Sequence, residues 1–141
     1  MLLNVSYNES EVKEKIEATV GKPFPLKERW SMSGVGSPKL LISSTSTDIY
    51  NLLILDNNLN TCNIELRPRG IILRFRSLLE TYALIVPYYK LNLYKGKAEE
   101  YSIYKDHQFV KVLVDTKDTQ KFFSKLKAEK AKKKAPGIED L

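Results

Sequence analysis

Residues 50–115 read YNLLILDNNLNTCNIELRPRGIILRFRSLLETYALIVPYYKLNLYKGKAEEYSIYKDHQFVKVLVD. The stretch divides into seven short strand-like segments: YNLLILD from Tyr50, TCNIELR from Thr61, IILRFRS from Ile71, ETYALIVP from Glu80, KLNLYKG from Lys90, EEYSIYK from Glu99 and FVKVLVD from Phe109. Their spacing of roughly ten residues points to a small, mostly antiparallel barrel or sandwich. Strand side chains alternate between faces. Ile64, Leu66, Ile71, Leu73 and Phe75 therefore point inward, and Glu65, Arg67, Ile72, Arg74 and Arg76 point outward. Val110, Val112 and Val114 make the inner face of the last strand, with Lys111 outside. Leu52 to Leu55 is apolar on both faces, which predicts a layer on each side of that strand. Asp56-Asn57-Asn58, Pro68-Arg69-Gly70, Lys95-Gly96-Lys97 and Asp106-His107 supply turns.

At Thr116 the period changes from two to helical in TKDTQKFFSKLKAEK. Asp115, Thr116 or Asp118 can cap this helix, and Phe122, Phe123 and Leu126 form its short apolar face. Beyond Ala128 it has nothing left to bury, and Lys132-Lys133-Lys134 followed by Pro136-Gly137 ends it. Residues 132–141 read as a flexible tail, basic then acidic.

Residues 1–36 form a preface. Asn8 or Ser10 can cap a helix running to Val20, with Val12, Ile16 and Val20 as its apolar stripe and Gly21 and Pro23 as its stop. KPFPLKERWSMSGVGSPK, from Lys22, is too rich in Pro, Gly and Ser for a regular element, so it reads as a strap across the outside of the sheet, with a binding role as the alternative. Phe24, Leu26 and Trp30 then need cover. Residues 39–47 allow one further strand.

A chain of 141 residues is most simply one domain and buries about two-thirds of its unfolded surface, so it needs no metal or disulfide to hold a core. The lone Cys62 cannot form an internal disulfide, which fits a reducing compartment or a mere absence of need. No run approaches a membrane span, and the first residues lack the basic lead of a signal peptide, so the expectation is a cytoplasmic protein without a transmembrane segment. The net charge of +6 is uneven. Residues 116–134 alone carry +6, the first 115 residues +2 and the last seven −2.

Seven strands followed by one C-terminal helix resemble the pleckstrin-homology-like (PH-like) fold, particularly bacterial PH-like domains. The resemblance is most characteristic in ALIVPYYKLNLYKG, residues 83–96, where a strand enters a proline step and then a short strand. It implies an α+β, mainly β architecture: a bent antiparallel barrel over residues 37–131, plugged at one end by a C-terminal helix. Phe122, Phe123 and Leu126 could fill that plugging role. Arg74-Phe75-Arg76 also resembles the Arg-x-Arg element of phosphoinositide-binding PH domains, with Arg67 or Arg69 as an upstream basic partner.

Guanidinium groups suit phosphate because they offer forked donors. Arg67, Arg69, Arg74 and Arg76, with Lys132, Lys133 and Lys134, are therefore the candidate anion-binding residues. The plain alternative is a solvated face whose arginines pair with Glu65 or Glu80. The tyrosines between Tyr82 and Tyr104 could stack bases, yet strand and rim packing explains them as well. Catalysis is not expected. The single His107 lies at a turn, Glu99 and Glu100 point to opposite strand faces, and Gly34-Val35-Gly36 lacks the strand and helix of a phosphate loop. No cofactor or metal is expected either. The leading expectation is a non-catalytic PH-like module engaging a protein or peptide. The second is weak electrostatic contact with an anionic lipid surface or nucleic acid, through the arginine hairpin and the Lys-rich helix.

Overall fold

A computed structural model of the chain describes residues 1–55, 60–97 and 99–132. Eight strands occur among them: β1 (Leu2–Asn4), β2 (Leu40–Thr45), β3 (Thr61–Arg67), β4 (Gly70–Ser77), β5 (Glu80–Pro87), β6 (Asn92–Lys95), β7 (Glu100–Lys105) and β8 (Gln108–Leu113). Four α-helices accompany them: α1 (Ser10–Val20), α2 (Leu26–Ser31), α3 (Thr47–Leu53) and α4 (Lys117–Lys132). The fold is α+β and mainly β. The strands form one antiparallel sheet in the order β1-β5-β4-β3-β2-β8-β7-β6. No ladder joins β1 to β6, so the expected barrel is corrected to an open, eight-stranded sheet.

β2 is the joint of this sheet. Leu40 and Leu41 pair with Cys62 and Thr61 of β3, whereas Ile42 to Thr45 pair with β8. The register shifts between Ile42 and Ser44, the kind of irregularity that bends a strand and re-aims its edge. Where β2 leaves β3, residues 35–37 take its place. Leu66 N–H donates to Val35 O and Ser37 N–H to Ile64 O, each at 2.8 Å. The strap is thus sewn beside β3 and does not cross the outside of the sheet. Its middle forms the unexpected helix α2, which buries none of its residues. Phe24 is covered, but Leu26 and Trp30 are 74% and 86% exposed, so the cover expected for them is not there.

The other main correction falls at Tyr50. YNLLILD does not make a strand, because α3 occupies Thr47–Leu53. Asp48 Oδ1 accepts from Ile49 N–H at 2.9 Å and from Ser46 Oγ at 2.6 Å, which settles the first turn. Ile49 and Leu53, four residues apart, then bury on one helix face. A short apolar run suits a strand and a buried helix equally, and here the start signal decides. The seventh strand of the meander is supplied by β2. β1 was not foreseen at all.

One core cluster joins the inward residues of both halves of the sheet, including Ile64, Leu66, Leu73, Phe75, Val110 and Val112, to Phe122, Phe123 and Leu126 of α4. Thr116 and Thr119 cap that helix reciprocally, each backbone N–H donating to the other's Oγ1. A second cluster lies on the opposite face, where Ile72, Ala83 and Ile85 pack under Ile16 and Val20 of α1. Ile72, expected outside, is fully buried there. α1 starts at an N-cap Glu9 with no side-chain cap bond, so neither Asn8 nor Ser10 has the expected capping role. Gly21 ends it at φ 91°, a left-handed conformation natural to glycine. The turn expected at Asp56-Asn57-Asn58 and the stop expected at Lys133, Lys134, Pro136 and Gly137 lie outside the described residues.

Candidate functional site

The four arginines expected as an anion site do not converge. Arg67, on the outer face of β3, is only 7% exposed because α1 and Gly21 cover it. Its Nε donates to Glu65 Oε2 at 2.6 Å and its Nη1 to Gly21 O at 2.9 Å. Arg74 Nη1 donates to the other Glu65 oxygen at 2.7 Å. Burial opposes ionisation of Glu65, but the hydrogen bonds and charges of Arg67 and Arg74 outweigh it and hold its carboxyl below the usual carboxylate range. Arg69 donates from Nη2 to Glu17 O and Ala18 O, both at 3.1 Å, and so satisfies terminal carbonyls of α1. Three of the four arginines therefore hold α1 or the half-buried Glu65.

Arg76 is different. It is exposed and makes no ion pair with a described residue. It shares an open groove of about 880 Å³ with Arg74 and Lys39 on the outer face of β2–β5. Lys132 at the end of α4 pairs with Glu129 at 3.0 Å. Lys133 and Lys134 lie outside the described residues.

A second groove, of about 500 Å³, runs between β6 and α4. The core positions both of its walls. Phe123 and Leu126 fix the face of α4, so Lys127 and Lys130, each four residues on, stand along the groove. Tyr101 on β7 stacks on Phe123 with centroids 4.8 Å apart, and Lys127 Nζ lies 4.7 Å above the Tyr101 ring while donating to its hydroxyl. Asn92, Leu93 and Lys95 make the strand wall, and Ala131 closes the helix side. β6 pairs with β7 on one edge only. Its other edge has no strand partner among the described residues.

Comparison with known proteins finds no match among protein-family models, curated proteins or solved structures.

The chemistry available in the second groove is recognition. Three ammonium groups and an unpaired strand edge surround the small apolar surface of Leu93 and Ala131. No carboxylate lines it among the described residues. His107 lies in the two-residue β7–β8 turn. Cys62 is buried in the core, and burial pushes its thiol up to about 12. No group of three or more His, Cys, Asp or Glu side chains able to hold a metal forms among the described residues. No described helix is long and apolar enough to cross a membrane. The lysines beside the groove follow the spacing of Phe123 and Leu126 and could have been found in the sequence. The free edge of β6 could not, because it depends on which strand ends the sheet.

Proposed function

We propose that the protein is a non-catalytic, PH-like binding module that takes up an extended, acidic peptide segment along β6. The observation that carries this reading is the outer edge of β6, which has no strand partner among the described residues, running beside α4 with a cationic groove between them. An extended peptide added to such an edge gains main-chain hydrogen bonds, while side-chain pockets supply selectivity. Seven strands, β2 to β8, followed by a helix whose Phe122, Phe123 and Leu126 enter the core, support the PH-like part of the reading. The lone, buried Cys62 supports a cytoplasmic setting.

Magnitudes indicate what the groove must add. Four residues of edge provide a few new hydrogen bonds at about 1 kcal/mol each. Set against the several kcal/mol that association costs, that alone gives binding weaker than about a millimolar. Lys95, Lys127 and Lys130 must supply the rest through acidic side chains of the ligand, which makes salt sensitivity part of the reading. Fluorescence anisotropy with a labelled, extended Glu- and Asp-bearing peptide tests it. Binding should weaken as salt rises and on Lys127→Glu or Lys130→Glu. Equal affinity for acidic and basic peptides of the same length would refute it.

The electrostatic reading of the arginine hairpin has less support. Arg67 and Arg69 are engaged with α1, so they do not reinforce Arg76.

A further inference from the structure

The outer face of the β2–β5 half of the sheet is only partly covered. α1 packs on Ile72, Ala83 and Ile85. Beyond its reach the register sets Asn63 beside Arg74 and Arg76 beside Thr81, with Leu41 beside Thr61. These residues floor the groove of about 880 Å³. Lys39, Arg74 and Arg76 contribute three cations to it, and no Asp or Glu lines it among the described residues. Leu78 and Leu79, in the β4–β5 turn, raise an apolar rim at one side, and Leu79 is 90% exposed.

We propose that this groove receives an acidic amphipathic α-helix of a protein partner, laid on the open part of the sheet face as α1 is laid on the other part. The site is separate from the peptide groove at β6. Its dimensions suit a helix. Four strands about 4.8 Å apart present roughly 14 Å of floor, the rise of about nine helical residues. Leu41, Leu78 and Leu79 meet an apolar stripe, and Lys39 and Arg76 meet carboxylates on the flanks of that stripe. Arg74 keeps one bond to Glu65 and offers its remaining donors. A rod fills a groove, whereas a bilayer plane would rest on the Leu79 tip and leave the cations of the floor unmatched. Single-stranded nucleic acid would want an open aromatic face, and the one ring on this wall, Phe75, is buried.

The test uses the full chain, ¹⁵N-labelled, titrated with a helix-forming peptide bearing Leu on one face and Glu on the other. A scrambled peptide of the same composition and phosphatidylcholine/phosphatidylserine vesicles are run beside it. The proposal expects amide shifts at Leu41, Asn63, Arg76 and Thr81, with the scrambled peptide at least about tenfold weaker. Arg76→Glu and Leu79→Asp are exposed substitutions that leave the core alone, and each should weaken the amphipathic peptide by about tenfold. The proposal is overturned by no binding of the amphipathic peptide at low salt, by shifts confined to β6 and α4, or by affinities unchanged in both variants. Arg76-dependent binding to the vesicles without binding to the peptide would overturn it in favour of a membrane.

Discussion

The Arg67 guanidinium meets the Glu65 carboxylate at 2.6 Å on the sheet face that α1 covers, and the same carboxylate holds Arg74 at 2.7 Å. Arg67 continues to Gly21 O, so this pair ties the end of α1 to β3. Glu65→Gln leaves a buried guanidinium without its counter-charge and should cost about 3 kcal/mol in urea unfolding. Arg74→Ala should cost much less, since Arg74 is more than a third exposed.

The same pair sets a pH dependence. The folded-state pKa of Glu65 lies below its ordinary value, because the two arginines outweigh burial. Its contribution is therefore complete above the unfolded value of about 4.3 and is lost as pH falls through the lower folded value. Stability measured against pH should fall less on the acid side in Glu65→Gln than in the parent chain. Parallel curves would show that Glu65 does not titrate as described.

Phe123 of α4 is 1% exposed and stacked on Tyr101. Phe123→Ala should destabilise by about 3–5 kcal/mol, read from the denaturant midpoint at unchanged slope. A loss below about 1 kcal/mol would mean that α4 is not part of the core.

Gly70 begins β4 where Val20 of α1 and the Val86–Pro87 backbone of β5 converge. A methyl group there would press into Val86 O, Val20 Cγ1 and Pro87 Cα. Backbone cannot yield as a side chain end can, so Gly70→Ala should cost about 1–3 kcal/mol or more in thermal unfolding. Gly36→Ala, where nothing lies within 4 Å, is the control and should change little.

Cys62 is 1% exposed and its thiol is pushed up to about 12 by burial. It should resist iodoacetamide in the folded chain at neutral pH and react on denaturation. Rapid labelling without denaturant would show that β3 opens locally.

Alternation made the inner faces legible, since Ile64, Leu66, Leu73, Phe75, Val110 and Val112 all enter the core as their spacing requires. The helix of Phe122, Phe123 and Leu126 was equally plain. Among the features that were not legible, three have a plain physical reason. The run at Tyr50 is too short for its period to separate strand from helix, and the Ser46–Asp48 start signal decided it. β1 is three residues whose pairing with β5 depends on a partner some eighty positions away. Arg67 and Arg69 carried charge that suggested a ligand, while their acceptors, Gly21 O, Glu17 O and Ala18 O, belong to a helix whose docking no local pattern reveals.

The central claim is that the free edge of β6 accepts a strand. Amide hydrogen exchange of the full chain, with and without a saturating acidic extended peptide, tests it most directly. The β6 amides facing away from β7 should become protected when peptide is bound, and protection should disappear in Lys127→Glu at the same peptide concentration. Bound peptide that leaves β6 exchange unchanged would contradict the claim.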